Sequence, residues 1–301
     1  MSLLVTGSIG IDTVETPHGR VEDVLGGSSV YFSLAASLFA DVRLIGVVGD
    51  DFDMDMLAPL RARRIDTRGV EVRPGSRTFR WHGKYTGAMN DAETVGVELN
   101  VLAEHGAAVP PEFADSEYIF LANTHPALQR EFARQFREAR LIVADTMNLW
   151  IEKEPDELRR LLAVVHGLVL NEAEARLLTG YPNLTVAGLE ILKMGPRFVV
   201  IKKGEHGSLL ISHEDLCVIP AYPTQRTIDP TGCGDTFAGA MMGYLAAADR
   251  HDPDTLRSAM ARGSVVASFV IESFSVDALS TVSSADVESR LEELKRIARF
   301  D

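Results

Sequence analysis

Short apolar runs separated by longer stretches of helical periodicity constrain this chain more than any other feature. The runs at 3–8, 44–48, 118–122, 141–144, 168–170 and 198–201 have strand length and read as buried strands. Between them, 28–39, 126–139, 156–164 and 172–179 carry apolar residues at helical spacing. Such alternation predicts βαβ units, and with them an α/β fold: a mostly parallel sheet sandwiched by helices. With 301 residues, 46% of them hydrophobic, the chain can bury one large core, so 1–301 is expected to form a single domain. Polar residues follow most of the runs, among them Asp12, Asn123, Asp145, Asn171 and Lys202. Ligands of open α/β sheets bind outside the carboxyl ends of the strands, so these side chains are expected along one crevice, although ordinary turn chemistry supplies the same residue types.

One stretch, IDPTGCGDTFAGAMMGYLAAA at 228–248, names a chemistry. Phe237, Met241, Tyr244, Leu245 and Ala248 recur at helical spacing, with Gly239 and Gly243 leaving room for a close neighbour, so a helix is expected to begin near Gly234. The first N–H groups of a helix have no partner and carry partial positive charge, which suits an anion. Gly232 and Gly234 let a phosphate approach those groups closely. Asp235 then stands beside the phosphate, where a carboxylate repels unless it has a task; accepting the proton of an incoming hydroxyl is one. The structural alternative is an aspartate cap on a buried helix. Two familiar phosphate loops are excluded, because neither GxGxxG at this place nor GxxxxGK[ST] anywhere occurs.

The segment DPTGCGDTFAGA resembles the C-terminal signature of the ribokinase-like, or PfkB, family of carbohydrate and nucleoside kinases, whose usual core reads DTTGAGD. The resemblance implies transfer of the γ-phosphoryl group of ATP to a hydroxyl of a sugar, polyol or nucleoside, with Asp235 as catalytic base. It implies an anion hole made by the backbone of Gly232, Cys233 and Gly234, and Mg²⁺ bridging the phosphates. Cys233 stands where Ala is usual and is expected as a small apolar filler. Asp12 and the pair Gly26–Gly27 match the family's substrate-hydroxyl contacts, and Asn123 and Asp145 are expected on the same side. Tyr31 departs from the pattern, standing near a place that usually holds Asn. Its phenol can still bond a hydroxyl, but its bulk means that the family's common ribose or fructose contacts do not carry over.

Asn171 and Glu174 in LNEAEARLLTG resemble the family's NxxE element, which organises Mg²⁺ through water; the same spacing is also a capping box. Lys202, Gly204, Gly207 and Thr231 are expected at the nucleotide, and Asp229 near a monovalent cation such as K⁺. Between 77 and 101 the period changes to two: Phe79, Trp81 and Tyr85 alternate with Arg80, His82 and Lys84, and a turn at 87–91 precedes Val95, Val97 and Leu99. This resembles the small β lid of related kinases, expected over about 13–25 and 70–101 and able to join a second subunit as a homodimer. His82 is expected as a surface histidine.

A formal net charge of −13 argues against nucleic acid or an anionic membrane as partner. Only Cys217 and Cys233 are present, no run reaches membrane-spanning length, and the N-terminus reads as a first strand, which together predict a cytoplasmic protein with no disulfide framework. Two further classes stay open on sequence alone. One is a non-catalytic nucleotide- or sugar-binding regulator. The other is a dinucleotide oxidoreductase, for which GSIGID is a poor match.

Overall fold

Alternation within the central strands decides the layering. Leu3 and Val5 are buried in one core and Leu4 in the other; Leu141 and Val143 oppose Ile142 and Ala144 in the same way, and Val169 opposes Leu168 and Leu170. A strand that is apolar on both faces must be covered on both. In the computed structural model, which describes residues 2–90 and 92–299, helices Ser28–Ala36, Cys233–Ala248, Pro253–Val270 and Ser284–Ile297 cover one face. Helices Pro126–Ala133, Pro155–Leu162, Glu172–Thr179 and Leu184–Leu192 cover the other.

The strands are β1 (Leu3–Thr6), β2 (Gly10–Thr16), β3 (Gly19–Gly26), β4 (Val42–Gly49), β5 (Asp66–Arg73), β6 (Phe79–Tyr85) and β7 (Ala92–Glu98). They continue as β8 (Tyr118–Leu121), β9 (Leu141–Asp145), β10 (Gly167–Asn171), β11 (Phe198–Lys202), β12 (Ser208–Ser212) and β13 (Leu216–Ile219). Nine of them form the main sheet in the order β13-β12-β11-β10-β9-β8-β1-β4-β5. From β11 to β5 all neighbours are parallel, while β12 and β13 add an antiparallel hairpin at one edge. The remaining four make a small sheet, β3-β2-β6-β7, in which β2 and β6 run parallel.

The small sheet differs from the expected 13–25 and 70–101. Residues 66–73 pair with β4 instead, as the parallel edge of the main sheet, because Gly69 lies against the Leu44 carbonyl and lets the two backbones meet. The sheet also starts earlier, so Asp12 and Gly26 lie on its own strands, Asp12 paired with Val24 and Gly26 with Gly10. Its inner face packs Val14, Tyr85 and Met89 with Trp81, Val21 and Phe274. Asp91, the end of the expected turn, lies outside the described residues. His82 lies on this sheet, half-buried, with Nε2 2.9 Å from Glu15 Oε1.

Helices Ser28–Ala36 and Cys233–Ala248 meet backbone to backbone. A Cβ on Gly239 would lie 2.2 Å from the Phe32 carbonyl oxygen, and one on Gly243 2.7 Å from that of Ala36. These two glycines leave the room that the sequence suggested, and the close approach fixes the start of the second helix over the sheet. Both cysteines are free thiols. No described helix is long and apolar enough to cross a membrane.

Candidate active site

Asp145, Asn171 and Lys202 are the last residues of three successive parallel strands, and Asn171 and Lys202 are paired partners in the ladder. Parallel strands end on one side, so these three groups reach the same edge. Helix Cys233–Ala248 begins there. Its N-cap is Gly232, so the helix starts one residue earlier than the hydrophobic spacing suggested. Pro230 to Cys233 form a turn closed by the Cys233 N–H to the Pro230 carbonyl at 3.2 Å, with Gly232 at φ 73° and ψ 0°. Those angles at the third position define a type II turn, which demands glycine.

That closure corrects one expectation. The Cys233 N–H is committed to Pro230, so it is not free for an anion. The N–H groups of Gly232 and Gly234 have no hydrogen-bond partner among the described residues. Cys233 itself packs against the core, its Sγ 3.8 Å from the Ala267 carbonyl, and burial pushes its thiol well up, as a filler requires. Lys202 Nζ reaches the turn: a Cβ on Gly234 would lie 2.7 Å from it.

Asp235, in the first helical turn, is only partly exposed. Burial raises its pKa from 3.8 to about 6; Lys202 pulls it down and Glu174 pushes it up. A carboxylate so tuned is charged at neutral pH yet basic enough to take a proton. Asp12, 4% exposed, is raised further, to about 7, by burial and then by Asp229 and Asp235. Its Oδ1 is buried with no hydrogen-bond partner, an acceptor without a donor. Gly26 makes room for this carboxyl, since a Cβ there would lie 1.9 Å from Oδ2, and Gly27, at φ 104°, lets the chain pass the Ser8 carbonyl. Asp145 is also buried with an orphaned Oδ1, and burial, then Asp235, drives its pKa well up.

On the other side of the turn lies a cleft of about 390 Å³. Asn171, Lys202, Gly204, Gly207, Cys233 and Gly234 line it, joined by 88–90 from the small sheet and by Tyr222, Thr224 and Phe237. Gly204 and Gly207 bracket a tight turn after β11. Asn171 and Glu174 form the capping box: Asn171 Oδ1 accepts from the Glu174 N–H at 2.8 Å, and Glu174 Oε2 accepts from the Asn171 N–H at 2.7 Å. The cap consumes the Asn171 oxygen and leaves Glu174 Oε1. Burial raises the Glu174 pKa, with Lys202 opposing.

The remaining candidates fall elsewhere. Asn123 is spent inside the protein, accepting from Trp150 Nε1 at 2.8 Å and donating to the Met147 sulfur at 3.0 Å. Tyr31, 2% exposed, lies beneath the turn, where a Cβ on Gly232 would be 2.4 Å from its ring; its hydroxyl has no partner. The bulk of the ring serves as a floor for the turn. Asp229 Oδ1 accepts from the Thr231 N–H at 2.9 Å and Oδ2 from the Ser275 N–H at 3.2 Å. Thr231 Oγ1 donates to the Tyr85 hydroxyl at 3.2 Å rather than lining the cleft. The sequence did not mark Tyr85 or Ser275 as partners of this turn. The period-two pattern placed Tyr85 on one face of its strand with Phe79 and Trp81, but nothing local marks what that face meets.

A family model described as pfkB family carbohydrate kinase matches residues 3–282. The chain belongs to the pfkB family. Among curated relatives, the cytidine kinase of Thermococcus kodakarensis is 29% identical over 259 residues, covering 84% of this chain and 90% of that protein. Among solved structures, the nucleoside kinase of Burkholderia thailandensis in complex with inosine superposes with a TM-score of 0.78 at 20% identity, covering 97% of this chain and 98% of that one. A putative ribokinase II of E. coli, solved with ATP and Mg²⁺, gives 0.77 at 17% identity over 97% and 99%. At these identities the superpositions show the fold, which is the ribokinase-like α/β fold, and the pfkB model supplies the family.

Proposed function

We propose that this pfkB-family protein transfers the γ-phosphoryl group of ATP to a hydroxyl of a sugar or nucleoside. One observation carries the reading: Asp235 directly follows Gly234, which lines the cleft with Lys202 and whose N–H has no partner among the described residues, and burial there raises the Asp235 pKa to about 6. The acceptor hydroxyl gives its proton to Asp235 as its oxygen bonds to the γ-phosphorus, and the bond from that phosphorus to the bridging oxygen breaks to release ADP. Charge on the transferred group is held by the Gly232 and Gly234 N–H groups and by Lys202. Asp12, buried with an unpartnered oxygen, supplies the acceptor for a neighbouring hydroxyl. A cleft with small glycine edges and Tyr222 at its side accommodates the nucleotide.

Among the described residues no three His, Cys, Asp or Glu side chains converge to hold a metal. A cation held by phosphates and water needs few protein oxygens, and Glu174 Oε1, which the capping box leaves over, is one that would serve. Mg²⁺ so placed would neutralise phosphate charge. Asp229, buried with no cationic side chain paired with it among the described residues, is the group that would face a monovalent cation.

The named relatives favour a nucleoside over a free sugar as acceptor. An ATP-consumption screen over nucleosides, sugars and polyols tests this, with turnover expected for at least one nucleoside; turnover with none of them, at ATP concentrations that saturate the enzyme, overturns the reading. A homodimer through the small sheet is part of the proposal, because β7 is an edge strand with Val95 and Val97 exposed. Val97→Glu is then expected to convert a dimer to a monomer in sedimentation velocity. A wild-type monomer at micromolar concentration rejects it.

A further inference from the structure

Resting on the kinase reading, the geometry points to Tyr85 as a positioning residue: its phenol ties the small sheet to the turn whose N–H groups hold the transferred phosphoryl. Tyr85 ends β6 and is 8% exposed, as is Thr231, which precedes Gly232. The bond between their hydroxyls, 3.2 Å, is a direct side-chain link from β6 to the turn.

Three further observations make this link mechanical. From below, the Tyr31 ring presses on Gly232, so the turn is held on two sides, by a ring under one residue and a hydroxyl on the residue before. From the other end of the small sheet, Ser275 Oγ donates to the Leu25 carbonyl at 2.8 Å on β3, while the Ser275 N–H reaches Asp229. Asp229 in turn holds the Thr231 N–H. Both β3 and β6 thus converge on the Asp229–Thr231 pair by separate routes. Finally, the chain beyond Tyr85 contributes Ala88, Met89 and Asn90 to the wall of the nucleotide cleft. Seating of the small sheet and shaping of the phosphate turn are therefore one event. A lid of this kind can close over bound substrates, exclude water and set the anion-holding N–H groups in the same movement.

Energetics favour a firm link. Both hydroxyls are buried, so removing one leaves the other without a partner and away from water. The turn then shifts or lets in water, and either change moves the Gly232 and Gly234 N–H groups away from the charge they must hold.

Tyr85→Phe tests the link, since it keeps the ring among Val14, Met89 and Phe274 and deletes the hydroxyl alone. Expected is a fall in kcat of about tenfold, with the KM for ATP within about threefold of wild type. Thr231→Val should match it, the double variant should lose no more than the worse single one, and Thr231→Ser, which retains the hydroxyl, should recover most of kcat. Amide exchange across 231–236 should quicken about tenfold in Tyr85→Phe while Tm falls by only a few degrees. A kcat within about twofold of wild type, or losses that multiply in the double variant, overturns the proposal. If the wild type transfers no phosphoryl group, the kinase reading fails, and exchange alone decides the link: faster exchange in 231–236 upholds it and unchanged exchange refutes it.

Discussion

Asp235→Asn is expected to lower kcat by about 10²–10⁴-fold while leaving the affinity for nucleotide close to wild type. The amide keeps the shape of the side chain and removes the base, and it leaves the Gly232 and Gly234 N–H groups and Lys202 where they are. Loss of fold cannot imitate this result. Burial raises the Asp235 pKa above its ordinary value, so the ionised carboxylate is disfavoured in the folded protein, and a neutral amide at pH 7.5 should melt at or above the wild-type temperature. The pH profile supplies the companion test. A base with a pKa of about 6 loses its charge as pH falls through that value, so wild-type kcat/KM should rise with pH and level off once Asp235 and Asp12, at about 6 and about 7, are both ionised. The two carboxyls sense each other, so the limb reports the pair. In Asp235→Asn the part of the limb that belongs to residue 235 should vanish. Turnover within about tenfold of wild type would remove Asp235 from the chemistry and leave it as a first-turn carboxylate facing the positive end of the helix dipole.

Much of this arrangement was legible in the sequence, for identifiable reasons. Strands apolar on both faces announce a sheet covered twice, and Gly239 and Gly243 within an apolar helix announce a close backbone neighbour, here Phe32 and Ala36. The signature turn could be read because its pattern is local: proline, glycine at the left-handed position, and an aspartate in the first helical turn. What failed to show is what depends on partners distant in the chain. Residues 66–73 have the alternation of an edge strand and could join either sheet; the close approach of Gly69 to β4 decided it. Tyr31 drew notice because it follows Gly26–Gly27, and its place under Gly232, a residue two hundred positions later, could not be read from that neighbourhood. Asn123 and Thr231 carry the right groups in the right region, and internal partners, Trp150 and Tyr85, consume them. Lys202 was read as a nucleotide contact, while the geometry also places its ammonium beside Gly234 as the cation that restrains the Asp235 pKa.

Gly232→Ala should damage stability and turnover together. Its φ of 73° is left-handed, which costs a residue with a Cβ about 1–2 kcal/mol. The added methyl also has nowhere to go, because it would lie 2.4 to 2.5 Å from three atoms of the Tyr31 ring, and that ring is buried and cannot swing out. Overpacking of this kind costs about 1–3 kcal/mol more, so a total of about 2–5 kcal/mol is expected by denaturant unfolding. The two contributions can be separated. In a Tyr31→Val background the ring is gone, and Gly232→Ala should then cost only the backbone share of about 1–2 kcal/mol; the shortfall from additivity measures the contact between ring and turn. Activity should not return with that relief. An alanine at 232 resists the type II geometry, and the N–H groups of 232 and 234 point correctly only in that geometry. Gly232→Ala with wild-type stability and wild-type kcat would mean that neither the left-handed turn nor its tyrosine floor governs how the phosphoryl group is held.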